Sequence, residues 1–155
     1  MTIFTDEFGE EHEKPKEITP KWRVSGYAIL RSDKGNILLV RPSWDVSKWQ
    51  LPGGAIEIGE LISEGIIREC HEETGYTIEV DACPFSAGER NFYCKTEDTF
   101  FQSLFLIYHG TLASERRNQE EILKDEIVAC EWVSPELLNE SNVHPIFWPT
   151  IQKIL

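Results

Sequence analysis

Three glutamates carry the strongest chemical signal in this sequence. Glu69, Glu72 and Glu73 stand at i, i+3 and i+4 of a stretch that reads as a helix, a spacing that puts three carboxylates on one helical face. Two such charges about 5 Å apart repel by roughly 3 kcal/mol at an effective dielectric of about 20, so the trio is a poor choice for stability alone. A divalent cation relieves the repulsion. Oxygen ligands with no paired Cys or His nearby favour a hard ion, Mg²⁺ or Mn²⁺, over Zn²⁺. Upstream, Gly53, Gly54 and Gly59 permit tight backbone and close approach to a phosphate. An arbitrary acidic helix face is usually just solvated, so the weight of the signal rests on what surrounds the three.

The surrounding pattern is Gly54, five residues, Glu60, seven residues, Arg68-Glu69-Cys70, one residue, Glu72-Glu73, one residue, Gly75-Tyr76. It resembles the Nudix box of the Nudix hydrolases. All the fixed identities are present, and a chance match in a chain of this composition is on the order of one in a million. Two positions where the family has bulky aliphatics hold Cys70 and Tyr76; neither bears on the chemistry. The resemblance implies that Glu69, Glu72 and Glu73 hold the metal, with Glu57 and the Gly53 carbonyl near it, and that Arg68 and Glu60 form an orienting ion pair. It implies hydrolysis of a diphosphate linked to some other group X, with Glu69 linking metal and water.

Further site residues follow from the resemblance. Arg41 stands where a basic residue often meets substrate phosphate, and Gly54 lets a phosphate approach. Glu126, Glu120 and Glu121 are each open as a distal base or ligand, with Glu126 ahead because it opens a strand. Tyr93 lies near where relatives acting on dinucleoside polyphosphates carry a tyrosine, and Trp44, in a polar loop, suits stacking on a flat group. The leading substrate is a nucleoside triphosphate or related nucleotide; dinucleoside polyphosphates and nucleotide sugars are alternatives. Two other classes stand beside a hydrolase. A non-hydrolytic nucleotide-binding regulatory module commonly loses the residues intact here, and an isoprenoid diphosphate isomerase would need its own Cys and Glu arrangement.

The elements that must position these residues can be read in outline. The composition of 155 residues, 41% hydrophobic and 27% charged, is that of one globular domain. A net charge of −12 argues against a grip on a nucleic-acid polymer but allows a small anionic, diphosphate-containing substrate beside a metal. Cys70, Cys83, Cys94 and Cys130 show no metal or disulfide spacing, and no apolar run reaches a membrane span. The expectation is a cytoplasmic protein with reduced thiols and no membrane partner. Residues 1–20 read as an acidic, partly ordered extension whose Phe4 and Phe8 dock on the domain or on a second subunit, as in a homodimer; residues 21–155 read as a single domain. Trp22–Arg31 and Ile37–Val40 predict a hairpin leading into the box, Thr77–Val80 a strand, and Cys83–Cys94 a strand or irregular loop. Thr99–Thr111 predicts a central strand covered on both faces. A polar loop over Leu112–Asp125 and a strand over Ile127–Val133 follow. Ser134 then caps a short helix, and the tail from Pro145 forms a last one. The order agrees with the α/β fold that the resemblance implies, an α/β/α sandwich with a mixed central sheet.

Overall fold

The apolar run from Phe100 to Tyr108 becomes the middle of the molecule. In the computed structural model, which describes residues 2–155, it lies within strand β8 (Thr99–Arg117), bordered on both sides. Strand β7 (Ser86–Cys94) pairs antiparallel with one edge, and β3 (Lys21–Leu30) pairs parallel with the other, from Lys21 opposite Phe101 to Leu30 opposite Gly110. Outside β3 lies the short β5 (Gly53–Ala55). Outside β7 lie β1 (Ile3–Thr5), parallel to it, and β2 (Glu11–Glu13). Strand β6 (Tyr76–Val80) pairs with the far end of β8, completing a mixed seven-stranded sheet. A second, two-stranded ladder joins β4 (Ile37–Pro42) to β9 (Ile127–Val133).

Two cores flank the sheet because side chains alternate along its strands. Ala28 and Leu30 point to one face, where helix α1 (Ile62–Thr74) buries Ile66 and Cys70 against them together with Leu38 and Ile78. Ile29 points to the other, packing with Ile107, Leu39, Trp49 and Phe147 and with Ile151 of the short helix α2 (Trp148–Gln152). Each fully buried aliphatic stabilises by about 1.5–3 kcal/mol, so both layers hold the sheet from its two sides. The result is an α/β/α sandwich. Helix α1 stops at Gly75, whose φ of 75° is left-handed and whose N–H donates to the His71 carbonyl at 2.8 Å. A Cβ there would also lie 2.4 Å from the Asn118 carbonyl oxygen.

Three expectations are corrected. The first two strands do not form a hairpin: β3 takes β8 and β5 as partners, and β4 pairs with β9 instead, leaving one bridge between Arg31 and Ile37. Adjacency in sequence lost to burial of β3 inside the sheet. The polar segment after Thr111 is not all loop, because β8 continues to Arg117, which lies opposite Tyr76. The Arg117 Nε donates to the Thr74 carbonyl at 2.8 Å and its guanidinium sits 5.5 Å from the Tyr76 ring centroid, so a charged residue closes the strand. Finally, Pro135–Leu137 is a single 3-10 turn with no side-chain bond from Ser134. Among the described residues no helix is long and apolar enough to cross a membrane.

Candidate active site

Helix α1 presents its acidic face to the loop that precedes it, and Arg68 fastens the two. Its guanidinium forks onto Glu60, Nη2 to Oε1 at 2.7 Å and Nε to Oε2 at 3.1 Å, while Nη2 also reaches the Ala55 carbonyl at 3.1 Å. A bidentate Arg–carboxylate pair fixes orientation as well as distance. Glu60 Oε1 in turn accepts the Glu57 N–H at 2.7 Å, so the loop bends tightly over Arg68. These donors, Arg68 first, hold the Glu60 carboxyl below the usual range, and the pairing raises the Arg68 guanidinium further. The third branch, Nη1, donates to Glu69 Oε1 at 2.9 Å. That leaves Oε2 of Glu69 toward Gly54, where a Cβ would lie 2.7 Å from it. Any side chain at position 54 would displace the carboxylate.

Glu73, one turn on, is seated by the backbone of β5: the Gly53 N–H donates to its Oε2 at 2.8 Å. Gly53 has a φ of 141°, and a Cβ on it would lie 2.1 Å from the Gly26 carbonyl oxygen, so only glycine lets β5 run against β3 here. Glu126 arrives from the opposite side. Its carbonyl accepts the Ser43 N–H at 2.7 Å, and its loop is tied to α1 by the Leu123 N–H on the Glu72 carbonyl at 2.9 Å. Glu69, Glu73, Glu126, Gly53 and Gly54 thus line one cleft of about 340 Å³. Burial pushes the Glu69 carboxyl up against the pull of Arg68, with Glu72 and Glu126 adding to the rise. Burial likewise raises Glu73 well above the usual range, opposed by the Gly53 N–H and reinforced by Glu69 and Glu126. Carboxylates crowded out of water with one guanidinium among them fit a hard divalent cation.

Other residues singled out in the sequence lie elsewhere. Glu57 is exposed and contributes its backbone N–H to the loop; it does not line the cleft. Glu72 is also outside it, meeting Arg68 only at 3.4 Å. Arg41 turns its guanidinium over the Trp49 ring, 4.0 Å from the centroid, away from the cleft. Tyr93 lies across the sheet from the Phe92 and Cys94 side chains, stacked on Phe100 at 4.5 Å with its hydroxyl donating to Asp98 at 2.6 Å. Strand alternation alone decides that placement. Glu120 is exposed in a 3-10 turn, and Glu121 pairs with His71. Among the described residues, the acidic group with ligand atoms within 4.8 Å of one another is Asp6, Glu10 and His12. Lys95 Nζ already lies 2.7 Å from both Asp6 and Glu10, so that cluster is an anchor for the N-terminal strands.

A second cavity of about 270 Å³ opens beside the cleft and shares Arg23, Tyr27, Trp44 and Gln50 with it. Arg90, Phe92 and His144 complete its floor. Burial lowers the Arg90 guanidinium and drives the His144 imidazole down to about 4, leaving it neutral. Among these only Trp44 was singled out in the sequence. Arg23, Ser25 and Tyr27 share one face of β3 at period two, a signal that becomes meaningful only once the strand's partners are known.

Comparison with known proteins bears on this arrangement. A model of the NUDIX domain matches residues 21–154. A MutT-like protein of Streptomyces ambofaciens is 39% identical over 70 residues, 44% of this chain and 45% of that protein. The chain thus spans less than half the length of that relative. A nucleoside triphosphatase of an Enterobacter species is 29% identical over 100 residues, 63% of this chain and 69% of that protein. Among solved structures, the MutT protein of Methanosarcina mazei superposes with a TM-score of 0.66 over 89% of this chain and 96% of its own, at 24% identity, a likeness of fold.

Proposed function

The chain belongs to the Nudix hydrolase family, and we propose that it cleaves a diphosphate bond in a nucleoside triphosphate or related small nucleotide, using a bound divalent cation. The observation that carries this reading is one cleft: Glu69, Glu73 and Glu126 converge beside Gly53 and Gly54, and the cleft runs into a pocket lined by Trp44, Arg23 and Arg90. Acid groups for a metal and aromatic and cationic groups for a nucleotide line adjoining cavities.

Glu69, Glu73 and Glu126 would hold the ion, Mg²⁺ or Mn²⁺. When bound, it neutralises diphosphate oxygens and acidifies a water. The remaining chemistry belongs to the chain. Arg68, locked on Glu60, occupies Glu69 Oε1 and leaves Oε2 to take the proton from the attacking water. The water oxygen bonds to phosphorus as the bridging oxygen departs with the leaving phosphate. Gly54 leaves room at that oxygen, and Arg23, shared by both cavities, meets the phosphate chain. Trp44 stacks on the base. The relative named as a nucleoside triphosphatase supports this substrate class. An acidic surface and small cavities support a small anionic substrate over a nucleic-acid polymer.

The test is release of phosphate and pyrophosphate from a panel of nucleoside triphosphates, dinucleoside polyphosphates and nucleotide sugars, with Mg²⁺, with Mn²⁺ and with EDTA. Release from the triphosphates that EDTA abolishes is the expected result. Metal-independent release, or none from any compound, would overturn the reading.

A further inference from the structure

Residues before position 21 lie outside the NUDIX match, yet they reach the pocket. Strand β1 extends the sheet beside β7, with Thr5 opposite Phe92, and Phe4 is buried edge-on to Phe100 at 5.1 Å. The turn that follows is built on Asp6. Its Oδ1 accepts the N–H groups of Phe8 and Glu10, each at 2.9 Å, while His12 Nε2 at 2.8 Å and Lys95 Nζ at 2.7 Å hold its Oδ2. Burial opposes ionisation of Asp6, but these donors outweigh it and keep the carboxyl well below the usual range. A turn fixed this firmly aims the residue at its tip.

That residue is Glu7. It lines the pocket with Trp44 and Arg90, and its Oε2 is shut off from water with no hydrogen-bond partner among the described residues. Gln50 Nε2, where the pocket meets the cleft, is in the same condition. Both side chains line the one cavity, and a polar atom left buried without a partner is costly until its side chain turns toward one. Trp44 lines the same cavity, and its neighbours Phe8 and His144 meet it at 86° and 83°, so neither is stacked on it.

We infer that the hairpin of residues 3–13 is a working wall of the substrate pocket, and that Glu7 is a specificity-determining residue that accepts a hydrogen bond from an N–H of the nucleobase. Gln50 donates to an acceptor on the same base while Trp44 covers its face. The selectivity comes from unpaired groups: a base without a donor at that edge leaves the Glu7 oxygen buried and unsatisfied, and is rejected more strongly than a poor apolar fit would be. The inference rests on the nucleotide reading above and deepens it.

The test uses the full-length protein, wild type and the variants Glu7→Ala and Glu7→Gln, with the four ordinary nucleoside triphosphates. Steady-state rates are measured with Mg²⁺, and equilibrium binding of the same compounds is measured in EDTA. The spread of kcat/KM between the best and poorest base should shrink by about tenfold or more in Glu7→Ala, chiefly through KM, and by less in Glu7→Gln, which keeps an acceptor. A merely structural role would lower all four alike and lower the melting temperature with them. Uniform loss, or an unchanged spread in both variants, overturns the inference while leaving hydrolysis standing. Base-selective binding that Glu7→Ala erases in a protein that hydrolyses nothing supports the inference and removes the hydrolase reading. A wild type that neither binds nor hydrolyses any of the four removes both.

Discussion

The cleft on α1 and the pocket beside it share four residues and differ in almost every other respect. Two of the cleft's three acids stand on one helix that faces the short strand before it, Glu69 held by the Arg68 guanidinium and Glu73 by the Gly53 N–H, with Glu126 the third. The pocket draws on β1's turn, β3, β7, β8 and three loops, and its groups are aromatic, cationic, neutral and acidic at once. One gathers its acids around a helix and a strand, suited to chemistry that many substrates share. The other is assembled from scattered segments, and each can vary without disturbing the acids. On the function proposed above, reaction and selection are thereby separable in this molecule.

The separation can be broken most visibly at Glu69. Glu69→Gln removes the assigned proton acceptor and should lower turnover by about 10²–10⁴-fold while the melting temperature holds; unchanged phosphate release would take Glu69 out of the mechanism. Gly54→Ala acts on the same carboxylate without deleting it, since the new methyl would lie 2.7 Å from Oε2. Relieving that contact displaces the carboxylate by a good part of an ångström, which should cost up to about a hundredfold in kcat, with substrate preference intact. In the pocket the pattern should invert. Trp44→Ala should raise KM about tenfold, the loss of one stacked base, and leave kcat nearly alone; a fall confined to kcat would mean that the two regions are not separable.

A further effect concerns stability and not catalysis. His144 is held neutral by burial, with Arg90 and Lys48 adding to the fall and Asp45 opposing it, at about 4 against an ordinary 6.5. Its folded value lies below its unfolded one, so the unfolded chain binds the extra proton first. The stability linked to it is whole above pH 6.5 and drains as pH falls toward 4, by roughly 3 kcal/mol at most. Denaturant melts of wild type and His144→Gln across that window should converge as pH drops. Parallel curves would show the imidazole already paired or hydrated.

How far each region could be read from sequence follows the same division. Glu69 and Glu73 were legible because helical periodicity places them without knowledge of the rest of the fold. Glu126 was legible only as one glutamate among several, since its position across from α1 depends on β9 pairing with β4. Tyr93 and Arg41 show the limit. Strand position decides which way a side chain points, and a shift of one residue reverses it. Cys94 and Phe92 face the pocket, and the tyrosine between them does not. Glu57 fell outside for a local reason, its backbone serving to close the turn on Glu60. Glu7 could not have been found at all, because nothing in an acidic leading segment distinguishes the glutamate whose neighbour Asp6 anchors the turn.

The parallel ladder between β3 and β8 has a bearing on how the molecule is made. It joins Lys21 to Phe101 and Leu30 to Gly110, contacts far apart along the chain, and strands so paired close large loops before gaining anything in return. During synthesis β3, β5 and the whole of α1 leave the ribosome before β8 exists. The acidic helix must therefore wait as an amphipathic segment with no sheet to cover Ile66 and Cys70. Folding should be slow for a protein of this size and sensitive to anything that delays or truncates β8.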